Sequence, residues 1–286
     1  MKYLIVALAL FINYSFASEE DTISQLRALD WKKAPADYQI AHDKAIIRTT
    51  KNDYLVTGEN AAEYMFIMQG HRGYKPDAAI YRVQGPEVNS QVIYTIHQIG
   101  FVTQDDWKDN IDKEEILQEI KNETKKNNNK MAQGYPKNYV DSWAQPPYLD
   151  KTNNTVYWAI AGHDDHNTKF INAKALKLGR DGYTEVVWIG SPEQFSSAEA
   201  SLKPILTNYN YKEGFQYDDY IPGSDKLAAA GVGALVYKLA TGKAAAKVGF
   251  LAITAIFAKK LWFLIFLPFV YGWKWIKRRS LGSTKK

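Results

Sequence analysis

The stretch "LGRDGYTEVVWIG", residues 178–190, places a tight turn directly before a strand-forming run. Two glycines, Gly179 and Gly182, enclose a polar Arg-Asp pair, and this composition is typical of a turn. The run that follows is rich in β-branched and aromatic residues, which favour a strand. The pattern therefore predicts a turn at Gly179–Gly182 followed by a strand.

Similar alternating or β-branched runs recur along the chain and predict further strands. They are KAIIRTT (44–50), DYLVT (53–57), AAIYRV (78–83), QVIYTIHQIGFV (91–102) and TVYWAIAG (155–162). The segment AQPPYLDKTNNT (144–155) lacks this pattern and reads as a linker. It predicts that an N-terminal and a C-terminal half meet near residues 145–155.

Two segments carry the signals of a helix start. In IDKEEILQEIKNETKK (111–126), Asp112 as N-cap and Glu115 form a capping box. In GSPEQFSSAEASLKPIL (190–206), Ser191 is the predicted cap, Pro192 takes the first helical position and Gln194 completes the box. Together with the strands, these helices predict an α+β fold with mainly antiparallel strands and two or more helices.

Positive charge is concentrated at the C-terminal end of the chain. Residues 1–226 hold 25 Lys and Arg against 31 Asp and Glu, whereas residues 227–286 hold 11 Lys and Arg and no acidic residue. These basic residues interrupt long apolar runs, which is typical of a membrane segment with a basic cytoplasmic flank. A nucleic-acid-binding protein spreads its charge over a folded face, so we expect no nucleic acid among the partners.

The N-terminus has the form of a secretory signal peptide. Lys2 precedes an apolar run, and Ser15 and Ala17 supply the small residues of a cleavage site. We expect residues 1–17 to be removed and residues 18–226 to form an exported, periplasmic domain. The chain has no cysteine, which excludes disulfides, thiolate metal sites and a lipoprotein anchor.

The C-terminal region predicts the attachment to a membrane. We expect a small-residue, membrane-proximal helix at 227–247, a transmembrane segment at 248–276 and a basic cytoplasmic tail at 277–286. This topology places the protein in a bacterial inner membrane, with the N-terminal domain in the periplasm. An alternative makes 227–257 the span and leaves 261–276 on the inner surface.

Small residues in the membrane-proximal helix allow a close approach between helices. They are Gly231, Gly233, Ala234, Gly242 and Ala246. Such residues favour helix association and predict a homo-oligomer. The alternative is a weak, mobile helix.

Two polar clusters are candidates for chemistry. In GHDDH (162–166), His163, Asp165 and His166 have the ligand chemistry of a Zn²⁺ site, although a solvated turn explains the same residues. In the segment 215–226, paired carboxylates flanked by tyrosines are suited to sugar binding or acid–base catalysis, and a membrane-proximal turn is the alternative. These carboxylates are Asp218, Asp219 and Asp225. No established catalytic signature is present, so we assign no catalytic residue and no cofactor.

An ordered set of motifs resembles one bacterial family. The motifs are IGFVTQDDW (99–107), DSWAQPPYLD (141–150), VYWA (156–159), KLGRDG (177–182), FQYDDYIPGSDKLAAAG (215–231) and AKKLWFL (258–264). This order is similar to the membrane-anchored proteins grouped as domain of unknown function 2167. The resemblance singles out Trp143, Pro147, Tyr148, Gly179, Arg180, Tyr217, Asp219, Asp225 and Lys226 as family-motif positions. It implies a location in the cell envelope and carries no activity with it.

These observations predict a membrane-anchored envelope protein with a periplasmic binding or assembly domain. The expected partners are the lipid bilayer and a second copy or another membrane protein. One alternative is a membrane-tethered hydrolase acting on a cell-wall or lipid-linked substrate. Another is an accessory subunit of a transporter or channel.

Overall fold

The computed structural model describes residues 19–70, 73–83, 89–107, 111–130 and 134–241. Within these ranges the strands are β1 (Asp37–Ile40), β2 (Ala45–Arg48), β3 (Asp53–Thr57), β4 (Ala78–Val83), β5 (Asn89–His97), β6 (Asn138–Asp150), β7 (Thr155–Asp164), β8 (Lys169–Gly179), β9 (Gly182–Gly190) and β10 (Tyr209–Tyr211). The α-helices are α1 (Glu19–Ala28), α2 (Glu59–Gln69), α3 (Lys113–Asn128), α4 (Ala198–Thr207) and α5 (Val232–Thr241).

A seven-stranded antiparallel sheet forms the centre of the molecule, in the order β3-β4-β5-β9-β8-β7-β6. The predicted turn closes the β8–β9 hairpin, in which Gly179 pairs with Gly182. Each predicted strand run contributes to a strand of the structure. The α+β class with antiparallel sheets is therefore confirmed.

Alternate residues of a strand point to opposite faces, so each face of the large sheet has its own core. One face is covered by α4 and by a three-stranded sheet in the order β1-β2-β10. Tyr94, Trp188, Leu202 and Tyr209 are among the buried residues of this core.

The opposite face carries two separate apolar clusters. The first packs under α1 and α2 and includes Leu26, Tyr64 and Val187. The second packs under α5 and includes Trp158 and Leu178. A charged strip, described below, separates the two clusters.

Strand β6 forms one edge of the large sheet and is irregular. Its pairing with β7 shifts register between Val140 and Ser142, between Trp143 and Gln145, and between Gln145 and Tyr148. The prediction of a linker at 144–155 is wrong, because these residues form the end of β6, the turn to β7 and the first residue of β7. Pro146 and Pro147 argued against a strand in the sequence, because proline within a sheet is confined to edge strands and bulges. Strand β6 is such an edge strand.

The predicted helix start at Ser191 is wrong in its extent. The capping box of Ser191 and Gln194 is present, but it begins a single 3₁₀ turn at Pro192–Gln194. Phe195 then adopts an extended backbone, and α4 begins only at Ala198 with Ser197 as its N-cap. The partly buried ring of Phe195 packs beside Trp188, with 6.3 Å between ring centroids. This contact competes with continuation of the 3₁₀ turn into a longer helix.

The other predicted helix start is confirmed at α3 with Asp112 as its N-cap, but the reciprocal bond from Glu115 is not formed, since its carboxylate accepts from the hydroxyl of Tyr237. The side chain of Asp112 accepts hydrogen bonds from the backbone N–H groups of Glu114 and Glu115, and this satisfies two free donors at the helix start. The helix packs against β6 and α5.

No helix among the described residues is long and apolar enough to cross a membrane. The predicted signal peptide, transmembrane segment and cytoplasmic tail lie outside the described residues. Within the predicted membrane-proximal range 227–247, the structure has α5 at Val232–Thr241.

Candidate functional site

The residues around the start of α5 form a connected polar site. Five residues from three separate segments meet there: Gly100, Asp106, Arg180, Asp225 and Gly231. We call this group the α5 clasp, because its contacts hold α5 and the segment before it against the large sheet.

Arg180 connects the β8–β9 turn to the segment before α5. Its Nε and Nη2 donate to the two carboxylate oxygens of Asp225 at 2.8 and 2.9 Å, and its Nη1 donates to the carbonyl of Gly214 at 3.0 Å. A two-pronged pair of this kind fixes geometry as well as charge. The hydrogen bond from Arg180, together with the N–H of Ile221, lowers the pKa of Asp225.

Gly100 lets two backbones meet with no side chain between them. Phe101 N–H donates to the carbonyl of Lys226 at 2.8 Å, and Ala228 N–H donates to the carbonyl of Phe101 at 2.9 Å. Gly100 has a φ of +99°, and a Cβ at this position would lie 2.8 Å from the carbonyl oxygen of Lys226. Only glycine fits both the conformation and the space.

Asp106 caps the N-terminus of α5 from a distant part of the chain. Its carboxylate oxygens accept hydrogen bonds from the backbone N–H groups of Gly233 at 2.9 Å and Ala234 at 3.0 Å. Val232 N–H donates to the carbonyl of Thr103 at 2.8 Å. The free N–H groups and the positive end of the helix dipole both favour a carboxylate here.

The small residues at the start of α5 make this cap possible. A Cβ on Gly231 would lie 2.3 Å from Oδ1 of Asp106. Gly233 and Ala234 are buried against the domain. These three residues therefore make contacts within the chain, and the homo-oligomer predicted from them stays a prediction. Gly242 and Ala246 lie outside the described residues.

Aromatic rings fill the space beside the clasp. Phe101 stacks on Tyr220, with 3.8 Å between ring centroids. The ring centroids of Phe101 and Tyr217 are 4.6 Å apart. The hydroxyl of Tyr217 donates to the carbonyl of Val102 at 3.0 Å. Trp143 joins the apolar cluster under α5, and its Nε1 donates to the carbonyl of Lys113 at 3.0 Å.

A family model described as "Protein of unknown function (DUF2167)" matches residues 32–270. The chain belongs to the DUF2167 family. No curated protein matches the chain in sequence. The solution structure of cyanobacterial PsbP (CyanoP) from Synechocystis sp. PCC 6803 is similar at 10% identity and a TM-score of 0.36, covering 62% of this chain and 92% of that one. A likeness this distant bears on neither ligand nor partner.

Most of the DUF2167 motif positions named from the sequence converge on the clasp. Gly179, Arg180, Tyr217, Asp225 and Lys226 all lie within or beside it, and Lys226 contributes its carbonyl while its side chain is exposed. Gly179 packs against the ring of Tyr211, and a Cβ on Gly179 would lie 2.7 Å from the nearest atom of that ring.

Two motif positions lie apart from the clasp. Pro147 and Tyr148 are on β6, and 50% of the Tyr148 surface is exposed. Their part in the site stays a prediction.

Two of the three carboxylates considered for catalysis are used inside the chain. Asp219 accepts from the N–H of Gln216 at 2.8 Å, which caps the 3₁₀ helix Tyr217–Asp219. Asp225 is held by Arg180 and by the N–H of Ile221. A glycosidase needs two carboxyl groups facing one substrate. Of this trio, only Asp218 is left without such a bond among the described residues.

The histidine cluster at 162–166 does not converge on a common point. His163 Nδ1 lies 2.9 Å from Oδ1 of Asp141 on β6, whereas His166 Nε2 lies 3.5 Å from Asp165. Asp164 accepts from the N–H groups of His166 and Thr168 and so shapes the turn. Among the described residues no three such side chains are grouped to hold a metal ion.

The sequence patterns missed the charged strip, which consists of Lys174, Glu185 and His97. Lys174 Nζ lies 2.7 Å from Oε1 of Glu185, and His97 Nε2 lies 3.9 Å from Oε2. Glu185 is between Tyr183 and Val187 on one face of β9, so the strip separates the two apolar clusters. The signal for it was a glutamate inside the strand run TEVVWIG.

The charged strip predicts that the fold is sensitive to acid. Burial lowers the pKa of His97 from its ordinary 6.5 and outweighs the attraction of Glu185. Burial raises the pKa of Glu185, but Lys174 lowers it further, so the net pKa of Glu185 is below its usual 4.5. The unfolded chain therefore binds more protons than the folded one as the pH falls, and protonation favours unfolding.

We expect the free energy of unfolding to decrease as the pH falls below about 6.5, where the unfolded histidine titrates. The measurement is urea unfolding of the detergent-solubilised full chain between pH 5 and 8. His97→Gln should flatten the dependence between about pH 5.5 and 7. His42→Asn, at an exposed turn position, is the matched control and should keep the wild-type slope. A His97→Gln profile equal to that of the wild type would contradict the assignment.

Proposed function

We propose that the protein is a membrane-anchored envelope protein whose exported α+β domain acts in binding or assembly. The single observation that supports this best is the α5 clasp. The family-motif residues of the clasp hold helix α5, which leads into the apolar, basic C-terminal region. They do not form a catalytic centre.

The clasp suits a protein whose domain must keep a set orientation relative to its membrane segment. Arg180 and Asp106 hold the chain on both sides of Gly231, and the pairing at Phe101 fixes the direction of the backbone between them. Three α5 side chains, Val232, Leu235 and Val236, are buried in the apolar cluster below. A flexible tether needs none of these contacts.

The topology part of the proposal can be tested with single cysteines, because the natural chain has none. Ser196→Cys reports on the domain at an exposed position, and Ser283→Cys reports on the C-terminal tail. We expect a membrane-impermeant maleimide to label Ser196→Cys in intact spheroplasts and to label Ser283→Cys only after lysis.

The matched fractionation uses a chain truncated after Thr241. We expect the full chain to resist carbonate extraction from membranes and the truncated chain to be released. Labelling of Ser283→Cys in intact spheroplasts would overturn the topology. A truncated chain that stays in the membrane would overturn the C-terminal anchor.

The binding part of the proposal calls for a separate measurement. Crosslinking in intact cells, followed by gentle solubilisation, gives the mass of the native complex. A discrete assembly, either of one chain or with a membrane partner, supports a binding or assembly role. A monomer under all crosslinking conditions argues against that role.

A further inference from the structure

A polar cleft lies beside the α5 clasp. It encloses about 180 Å³ between the β6–β7 turn, the end of β8, β10 and the 3₁₀ helix. Thr152, Asn154, Lys177, Asn210, Tyr211 and Asp218 are among its lining residues. A water molecule needs only about 10–15 Å³ of cavity, so the cleft has room for a ligand of several heavy atoms.

Lys177 brings a positive charge to this cleft without a balancing carboxylate. Its Nζ donates to the carbonyl of Tyr209 at 3.0 Å, and the carbonyl of Leu206 lies at 3.5 Å. An ammonium has three donors, so these carbonyls leave at least one for a ligand. Burial lowers the pKa of Lys177, and no acidic residue among the described ones offsets this.

Asp218 brings a negative charge to the same cleft. Its side chain is exposed and forms no hydrogen bond or ion pair with a described residue. It forms no ion pair with Lys177, whose Nζ contacts backbone carbonyls instead. Gly179 bridges to Gln216, and Arg180 N–H donates to the carbonyl of Phe215 at 3.1 Å. These backbone bonds join the β8–β9 turn to the segment that carries Asp218.

Two amides complete the set of free polar groups. Asn154 uses its Oδ1 to accept from Gln104 at 2.9 Å, which leaves its Nδ2 as a donor toward the cleft. Asn210 uses its Nδ2 to donate to the carbonyl of Thr207 at 3.0 Å, which leaves its Oδ1 as an acceptor. Both donors and acceptors are thus present among the residues that line the cleft.

We propose that this cleft binds a saccharide. A simple anion would be repelled by Asp218, and a simple cation by Lys177. An apolar ligand would bury these polar groups without partners, which is costly. A neutral ring with several hydroxyls can donate to Asp218 and Asn210 and accept from Lys177 and Asn154 at the same time. This inference does not depend on where the protein is located, so it can fail or stand independently of the proposed function.

The test is saturation-transfer NMR, followed by calorimetry, on the detergent-solubilised full chain. The probes are glucose, N-acetylglucosamine and diacetylchitobiose, with glycine as a zwitterion and inorganic phosphate as an anion. We expect at least one saccharide to bind with a Kd on the order of 1 mM, and glycine and phosphate not to compete with it.

Two variants tie the binding to this cleft. Lys177→Met and Asp218→Asn should each weaken saccharide binding about tenfold, because each removes a charge-assisted hydrogen bond. Lys169→Met, exposed at the other end of β8, and Glu213→Gln, exposed four residues after Tyr209, are the matched controls. Circular dichroism melts verify that all four variants fold.

Each remaining outcome overturns the proposal. Absence of saccharide binding up to about 50 mM, well above the expected Kd, excludes the site. Saccharide binding that both cleft variants leave unchanged places the ligand elsewhere. Binding of glycine or phosphate in the cleft, with no saccharide binding, assigns it to a charged ligand.

Discussion

Gly182→Ala should destabilise the protein by at least about 3 kcal/mol, the largest effect we expect from a single methyl group. Gly182 opens β9 with a φ of +156°, and a Cβ there would lie 1.8 Å from the carbonyl oxygen of His97. This contact is with backbone at the end of the neighbouring strand β5, so no side-chain rotation relieves it. The hairpin has to separate from β5 to admit the methyl group.

Urea unfolding of the full chain in detergent measures this loss. Gly214→Ala is the matched control, because Gly214 also has a positive φ, +83°, but a Cβ there would have no atom within 4 Å. The control should cost only about 1–2 kcal/mol, the penalty for a left-handed alanine. If both variants lost the same free energy of unfolding, the contact with the His97 carbonyl would not be the cause of the destabilisation.

Asp106→Ala should release the start of α5, with a loss of about 2 kcal/mol in the stability of the docked helix. The substitution removes the carboxylate that accepts from Gly233 and Ala234. It also leaves a space beside Gly231, where that carboxylate now packs. The buried side chains of Val232 and Val236 still favour docking, so we expect local opening rather than global unfolding.

Amide hydrogen exchange across residues 232–241 measures the opening. Protection there should fall in Asp106→Ala, while protection in the central strands β5 and β9 is retained. Asp105→Ala is the matched control, since the neighbouring Asp105 is exposed and caps none of the helices α1 to α5. If the two variants exchange alike, Asp106 does not hold α5.

Local signals in the sequence were sufficient for much of the large sheet. The turn at Gly179–Gly182 and the strand after it are both present in the structure, where the turn closes the β8–β9 hairpin. The cap at Asp112 is also present, because the groups that it joins lie within one helical turn. In each case the deciding contacts are between residues close in sequence.

The rest of the fold depends on competition that local patterns do not show. Ser191 and Ser197 both start a helical turn, but only the second begins α4, and the partly buried Phe195 between them packs beside Trp188. Strand β6 was hidden because its prolines argue against a strand, although its position at an edge tolerates them.

The candidate site was predictable in its residues but not in its geometry. Arg180 and Asp225 were both named from the sequence, yet they are 45 positions apart and nothing in either motif pairs them. Asp106 and Gly233 are 127 positions apart. Lys177 gave no signal, because a lysine on a strand is ordinarily solvated. Only the folded chain shows that its neighbours are carbonyls instead of carboxylates.

The irregular edge strand β6 has a consequence for contact between molecules. A straight edge strand presents a row of free N–H and C=O groups to any extended segment that meets it, and this is a route to aggregation. In β6 that row is broken, since Pro146 and Pro147 have no N–H and three register shifts bend the backbone around them. A strand from another molecule cannot form a continuous ladder of backbone hydrogen bonds with such an edge. Strand pairing between neighbouring copies is therefore disfavoured along β6.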